Sequence, residues 1–207
     1  MRKKLFVAGI ISPVIYVLYV IIGGMLRKGY SQIKQPISDL SAKGAPNLGM
    51  LNTFGSLSQI FGFIFAISAF IYLRRFKIKA VTISMVFFLA ETLITFSYSF
   101  FPEDMPGTTL TFTGFMHLAV TALVVITIIL MLVFAGVGFR KLNGYKKFSG
   151  YSIVTCIVIV ISGISSGIVI SNNIPIFGVV ERINIGALQL WVFVFALVLL
   201  NSLQEFE

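Results

Sequence analysis

The sequence is poor in the side chains on which most catalytic and metal sites depend. Its 207 residues include one histidine, one cysteine and seven acidic residues. The lone cysteine, Cys156, provides no disulfide framework and no thiolate metal cluster. One histidine weighs against a dedicated zinc site, although His117, Asp104 and Glu181 together offer three ligand side chains. We therefore predict neither a metal nor a cofactor, and no Walker, H-E-x-x-H, G-x-S-x-G or C-x-x-C motif is present.

Charged residues are also scarce, and this indicates that lipid rather than water surrounds most of the chain. Only 11% of the residues are charged and 57% are hydrophobic, whereas a soluble domain carries roughly 25% charged residues. The net charge of +9 comes from short basic clusters that separate long apolar runs. Such clusters are typical of topology signals and lipid-headgroup contacts rather than of nucleic-acid binding. We expect the lipid bilayer as a partner and no nucleic acid.

The apolar runs predict an all-α integral membrane protein that forms one bundle of six transmembrane helices and a single domain over residues 1–207. A span needs about 20 apolar residues. The first run is longer than the apolar region of a signal peptide and lacks a small-residue cleavage site, so we expect it to be retained. The predicted helices cover residues 5–26, 49–73, 80–101, 109–137, 148–171 and 182–203.

The distribution of lysine and arginine predicts the orientation. The N-terminus and the loops after helices two and four carry eleven of these residues, and the opposite side carries five. Because positive residues favour the cytoplasmic side, both termini are expected in the cytoplasm of a cell (plasma) membrane protein.

Polar side chains concentrate in the outer halves of the predicted helices. Asn52 and Gln59 lie on helix two, His117 on helix four, and Glu181 and Gln189 at the start of helix six. A polar side chain that faces lipid is costly, so these residues should face a polar chamber in the extracytoplasmic half. The alternative is that they only form hydrogen bonds between closely packed helices.

One hypothesis for chemistry joins His117 to Asp104. If the loop before helix four folds back, Asp104 could orient the imidazole for proton transfer, and Ser38 is a candidate nucleophile. The alternative is that His117 bonds a neighbouring helix while Asp104 caps helix four.

Two further charged residues are candidates for the pocket. Glu91 is the most deeply placed charge, near the middle of helix three, and an ionisable residue inside a membrane is by default a functional hypothesis. Arg182 follows Glu181 at the outer mouth, so the two side chains point to different faces of the helix.

Several stretches together resemble a known family. They are PISDLSAKGAPN after the first helix, FPEDMPG before the fourth, His117 within it, and GVVERINIGALQLW at the sixth. This combination resembles the prokaryotic membrane family catalogued as domain of unknown function 998. The resemblance implies a six-helix integral membrane fold and no established activity. It gives most weight to Ser38, Asp104, His117, Glu181 and Arg182.

Three functions fit these observations, in this order. The first is a binding or transport protein whose outward-facing pocket holds a small molecule or a lipid headgroup. The second is a structural or accessory subunit whose lipid-facing surface docks a membrane-protein partner. The third is an outer-leaflet hydrolase that uses His117 and Asp104. The sequence weighs against an enzyme without excluding one.

Overall fold

The structure, a computed structural model, describes residues 2–204 and consists of α-helices joined by two long loops and three short connections within that range. Three one-turn 3₁₀ segments, Ser38–Ser41, Arg74–Phe76 and Phe96–Ser99, occur in the connections. Six helices are long and apolar enough to cross a membrane, which confirms the predicted number. The helices are α1 (Arg2–Leu26), α2 (Leu48–Leu73), α3 (Lys79–Thr95), α4 (Phe112–Phe139), α5 (Lys146–Ser171) and α6 (Phe177–Gln204).

The start of α6 differs by five residues from the predicted boundary. This helix begins at Phe177, two residues after Pro175, and not at residue 182. Proline and asparagine before it favour a turn, but the apolar residues that follow are drawn into the helix where it packs under the first loop. Glu181 and Arg182 therefore lie in the second helical turn and not at the predicted start of the helix.

The two helices beside the FPEDMPG loop are also shorter at that end than predicted. The α-helix of α3 ends at Thr95 and continues as a 3₁₀ turn to Ser99, while α4 begins at Phe112 and not at residue 109. Thr111 caps α4, because its side chain accepts a hydrogen bond from the Gly114 N–H. The loop between the two helices is correspondingly long.

The helices form a closed ring in which each packs against its neighbours in sequence and α1 closes the ring against α6. The contact between α1 and α2 contains a reciprocal pair of hydrogen bonds. The Ser12 hydroxyl donates to the Ser58 carbonyl oxygen at 2.8 Å, and the Ser58 hydroxyl donates to the Ser12 carbonyl oxygen at 2.9 Å. Such bonds give the serine hydroxyls hydrogen-bond partners, which lipid chains cannot provide.

Aromatic side chains fill the half of the ring that contains the start of α1 and the end of α6. Phe65 on α2 packs against Phe195 on α6 with ring centroids 5.4 Å apart, and Phe88 on α3 packs edge-on against Trp191 at 5.9 Å. All four side chains are almost completely buried. Edge-to-face pairs add about 0.5–1.5 kcal/mol each beyond burial, so this half is a closed, well-packed core.

The two ends of the ring differ in chemistry. We call the end formed by the turns at residues 74–79 and 140–145 the basic end. We call the opposite end, formed by the loops at residues 27–47, 100–111 and 172–176, the polar end. The five acidic residues within 2–204 lie outside the basic end: four at the polar end and Glu91 within α3.

Candidate functional site

The first loop, residues 27–47, folds over the polar end of the ring. Ile37, Asp39, Leu40, Ala42 and Ala45 are all buried, although they belong to the longest polar segment of the sequence. Four of them form or adjoin the 3₁₀ turn Ser38–Ser41. The loop is therefore a packed cover and not a solvated connection.

Arg182 fastens this cover to α6. Its Nη1 donates to the Gln35 carbonyl oxygen at 2.9 Å and to the Gly178 carbonyl oxygen at 2.8 Å, and its Nη2 donates to the Tyr30 hydroxyl at 2.6 Å. The same hydroxyl donates to the Pro36 carbonyl oxygen at 2.6 Å. One guanidinium thus bridges the helix and two separate points of the loop, as the planar fork of arginine allows.

Backbone contacts reinforce the same attachment. The Val179 N–H donates to the Ile33 carbonyl oxygen at 3.1 Å, and the Ile37 N–H donates to the Glu181 carboxylate. Gly178 faces the loop so closely that a side chain would not fit: a Cβ atom there would lie 2.3 Å from the Gln35 carbonyl oxygen. The adjacent Glu181 and Arg182 therefore act on one loop segment, from two faces of the helix.

The loop is also joined to α1 and to the FPEDMPG loop. The Lys43 N–H donates to the Glu103 carbonyl oxygen at 2.8 Å, and the Tyr19 hydroxyl of α1 donates to the Ser41 hydroxyl oxygen at 3.0 Å. Arg27 donates to the Asp39 carbonyl oxygen. The three stretches on which the family resemblance rests therefore meet at the polar end.

Asp39 is the buried acid of the cover. Its carboxylate accepts a hydrogen bond from the Gln35 side-chain amide at 3.2 Å. Burial raises the pKa of Asp39, and the Gln35 hydrogen bond and the Arg27 charge partly oppose this. The protonation of Asp39 is thus linked to the folding of the loop, because the burial that raises its pKa exists only when the loop is folded.

Asp104 and His117 do not form the hydrogen-bonded pair that one hypothesis requires. The Asp104 carboxylate accepts hydrogen bonds from the Thr111 N–H and hydroxyl, both at 2.7 Å. The backbone N–H bond, followed by the hydroxyl bond, lowers the pKa of Asp104. The His117 Nδ1 lies instead 3.0 Å from the Phe101 carbonyl oxygen. Asp104 therefore bonds the N-cap residue Thr111, and His117 bonds the loop before α4. These are packing contacts, as in the alternative, although the cap itself is Thr111 and the partner of His117 is not a helix.

The hydrogen bond of His117 leaves its other ring nitrogen free to accept. A carbonyl oxygen can only accept, so Nδ1 carries the proton of the neutral ring and Nε2 has the free lone pair. The imidazole packs against the Tyr98 ring with centroids 4.9 Å apart. The Tyr98 hydroxyl lies 3.0 Å from the Thr121 hydroxyl oxygen.

Glu103 is the acid beside Ser38, and both Glu103 and Asp104 are within electrostatic range of His117. Burial raises the pKa of Glu103, while a hydrogen bond from Ser38 opposes this, and the charges of Asp39 and Asp104 raise it further. Its Oε2 is buried and has no hydrogen-bond partner within residues 4–202. Ser38 therefore faces a carboxylate rather than the imidazole that a serine nucleophile normally uses.

The remaining predicted pocket residues occupy different environments. Gln59 donates its amide to the Thr95 carbonyl oxygen at 2.9 Å, and its buried Oε1 has no partner in the part of the chain that the structure describes. Glu91 is 8% exposed. Gln189 is half-buried on α6, whereas Asn52 lies on the exposed face of α2.

Glu91, Thr95 and Tyr98 share one face of α3 and its 3₁₀ extension, because they are separated by four and three residues. Gln59 contacts this face through Thr95. Tyr98 is within electrostatic range of Glu91, Glu103 and Glu181. The face thus runs from the middle of the bundle to the cover.

Several important residues of the polar end were not predicted as site residues. Tyr30, Gly178 and Tyr98 are the clearest cases, since each acts through a partner that is distant in sequence. The Arg182–Tyr30 bond joins residues 152 positions apart, and no local pattern indicates such a pair. A glycine directly before the V-V-E-R motif was the one local signal of a close approach.

The adjacent acids Glu103 and Asp104 should change the stability of the protein with pH in opposite directions. A raised carboxyl pKa means that the folded state holds the proton more tightly, so stability falls as pH rises from the ordinary value of 4.5 through the folded pKa of Glu103. The lowered pKa of Asp104 contributes stability that is present above 3.8 and is lost as pH falls through its folded pKa. At pH 7 we expect Glu103→Gln to raise the thermal unfolding midpoint by a few degrees and Asp104→Asn to lower it.

Thermal unfolding of both variants and the wild type between pH 3 and pH 8 checks this prediction. The Glu103→Gln difference should shrink toward low pH. Shifts of the same sign for both variants at pH 7 would contradict it.

Within residues 2–204, no group of three or more histidine, cysteine, aspartate or glutamate side chains is arranged to hold a metal ion.

The fold and the polar end define a multi-pass membrane protein whose first loop covers a six-helix ring. The family model described as "Protein of unknown function (DUF998)" matches residues 10–198. The chain therefore belongs to this family, as the resemblance of its motifs predicted. No curated protein and no solved structure matches it.

Proposed function

We propose that this protein binds, and through binding transports or presents, a small polar molecule or lipid headgroup in the polar half of the ring, beneath loop 27–47. The observation that carries the proposal is the set of buried acceptors without partners on the inward face. Burying a polar group without a hydrogen bond costs on the order of 1–3 kcal/mol. A ligand that supplies the missing donors offsets this cost.

The acceptors lie along one path. Gln59 Oε1 and Glu103 Oε2 are buried without partners in the described residues. Glu91 in α3 is 8% exposed. The free Nε2 of His117 adds a fourth acceptor. Arg182 Nε, at the same end of the ring, is a buried donor without a partner in the described residues. The favoured ligand therefore has several hydrogen-bond donors and at least one acceptor, such as an amino alcohol or a polyol.

The packing of the two halves supports a site at the polar end. The aromatic cluster around Phe88, Trp191 and Phe195 closes the other half. The acidic residues of the polar end would favour a ligand with positive charge, and the surplus of lysine and arginine at the basic end favours its location in the cytoplasm. We accordingly place both termini in the cytoplasm of a plasma membrane protein, with the site facing outward.

Native mass spectrometry of the gently solubilised protein tests the proposal. The wild type should carry a bound non-protein mass, and Glu91→Leu and His117→Ala should each lose about ten-fold in bound fraction. Asn52→Ala is the matched control. Asn52 is polar and lies in the half of α2 nearest the polar end, but its side chain is exposed. Equal bound mass in all four proteins, or none in any of them, would contradict the proposal.

A second readout separates a binding role of Glu91 from a structural one. An apolar residue in place of an unpartnered buried carboxyl removes a desolvation cost. Ligand-free Glu91→Leu should therefore unfold at a higher temperature than ligand-free wild type. A lower unfolding temperature would mean that Glu91 stabilises the bundle itself.

A further inference from the structure

A shallow, open recess at the basic end has a mainly apolar lining and two lysines beside it. It has a volume of about 390 Å³ and is lined by Lys77, Lys79, Thr82 and Ile83, at the turn from α2 into α3. Both lysines are exposed. The recess lies at the opposite end of the ring from the proposed ligand site and is independent of it.

No carboxylate lies near the two lysines of the recess along α3, which begins at Lys79. The nearest acid along α3 is Glu91, twelve residues from Lys79, which is about 18 Å at 1.5 Å per residue. No other acid within residues 2–204 belongs to the basic end. The positive charge of the recess is therefore not neutralised within the described chain.

A second basic turn is held beside the recess by a close helix contact. A Cβ atom on Gly138 of α4 would lie 2.7 Å from the Val81 backbone nitrogen of α3. This contact places Arg140 and Lys141, which follow α4, next to the N-terminal turn of α3. The field of the recess is thus strengthened by charges from two turns.

The outer wall of the recess continues into an apolar track. Ile83 is 38% exposed, and Val86, one turn further along α3, is 49% exposed. These residues belong to a helix apolar enough to span the membrane, so their exposed faces contact acyl chains. A molecule that has a phosphate at the recess and a hydrocarbon chain along Ile83 and Val86 matches both parts.

We propose that Lys77 and Lys79 bind the phosphate of an anionic phospholipid, with an acyl chain of that lipid lying in the recess beside Thr82 and Ile83 and along α3. Lysine is suited to this role as a compact point charge with three donors. Basic pockets at the ends of membrane helices bind anionic headgroups on the same principle. The site is a specific one, beyond the general attraction of a basic surface.

The test compares two lipids that differ only in the headgroup. The full-length protein is titrated with phosphatidylglycerol or phosphatidylcholine of identical acyl chains, and bound lipid is counted by native mass spectrometry. The wild type should retain phosphatidylglycerol about ten-fold better. Lys77→Asn/Lys79→Gln should lose this preference; asparagine is chosen because residue 77 has φ +56°, which asparagine tolerates.

The control removes the same charge at the other end of the molecule. Lys28→Gln/Lys34→Gln also takes away two exposed lysines, and it should keep the preference for phosphatidylglycerol. Equal lipid retention in the two double variants would overturn the proposal. If the first double variant does not fold, Lys79→Gln alone gives the same comparison, against Lys28→Gln.

A further arm separates a lipid from a soluble phosphate. Inorganic phosphate is added to the phosphatidylglycerol complex at equal and at hundred-fold concentration. Retention of the lipid at equal concentration supports the proposal. Displacement at equal concentration would assign the recess to a soluble phosphate compound and overturn the assignment to a lipid.

Discussion

Gly178→Ala is expected to lift loop 27–47 from the polar end. The new Cβ atom would lie 2.3 Å from the Gln35 carbonyl oxygen and 2.6 Å from the Gln32 carbonyl oxygen. Both are backbone atoms, so no side-chain rotation relieves the overlap. Overpacking of this kind typically costs about 1–3 kcal/mol, and here the cost falls on the attachment of the loop.

Maleimide labelling measures the opening of the loop. A cysteine at position 45, where the native alanine is 6% exposed, is introduced into a Cys156→Ala background. The Gly178→Ala change should raise its labelling rate about ten-fold, since 1.4 kcal/mol corresponds to a factor of ten in an opening equilibrium.

The same helix provides the control for this prediction. Gly186 lies eight residues further along α6, and a Cβ atom there has no neighbour within 4 Å in the described structure. Gly186→Ala should leave labelling at position 45 unchanged and should raise stability slightly, because alanine favours a helix over glycine by about 1 kcal/mol. Equal labelling in the two alanine variants would show that the contact at Gly178 does not hold the loop.

Arg182→Lys should be almost as damaging as Arg182→Ala. The guanidinium reaches the Gln35 carbonyl oxygen and the Tyr30 hydroxyl with two different nitrogens, which one ammonium group cannot reproduce. Hydrogen bonds to charged groups contribute about 1.5–3 kcal/mol each. We expect a loss of about 3 kcal/mol for either change, seen as a lower thermal unfolding midpoint and faster labelling at position 45.

Two further variants are compared with the Arg182 variants: Tyr30→Phe as an intermediate case and Arg74→Ala as the control. Tyr30→Phe removes one of the bonds made by Arg182 and should cost about half as much. Arg74 is exposed at the basic end, and Arg74→Ala should change neither measurement. The Arg182 and Tyr30 variants should also be non-additive by about 1 kcal/mol when combined; strict additivity would contradict a shared role.

Six helices and the separation of apolar and polar halves followed from composition and periodicity alone. Long apolar runs such as the one containing Phe195 have only one stable form in lipid, because a helix satisfies its own backbone. The start of α6 was not predictable, since Phe177 and Gly178 join the helix through contacts with a loop more than a hundred residues away. Local turn signals at Pro175 indicated a later start.

In the site, too, the sequence predicted some features and missed others that depend on which contacts form in the folded protein. The sequence identified Arg182 and His117 as special and left two roles open for Asp104: orienting the histidine or capping α4. Asp104 has two donors at Thr111, seven residues away, and a local contact of that kind forms more readily than a distant one. Whether a carboxylate caps its own helix or turns inward depends on such competing donors.

The attachment of the first loop to α6 has a consequence for biosynthesis. The Gln35 carbonyl oxygen and the Arg182 guanidinium are 147 residues apart, so this attachment of the cover cannot form until the last helix has left the ribosome and entered the membrane. A nascent chain with five helices would display an unfastened loop and an open gap between α1 and α5. The last helix thus serves as the completion step of assembly, and chains that stop before Gly178 should be substrates for membrane quality-control proteases.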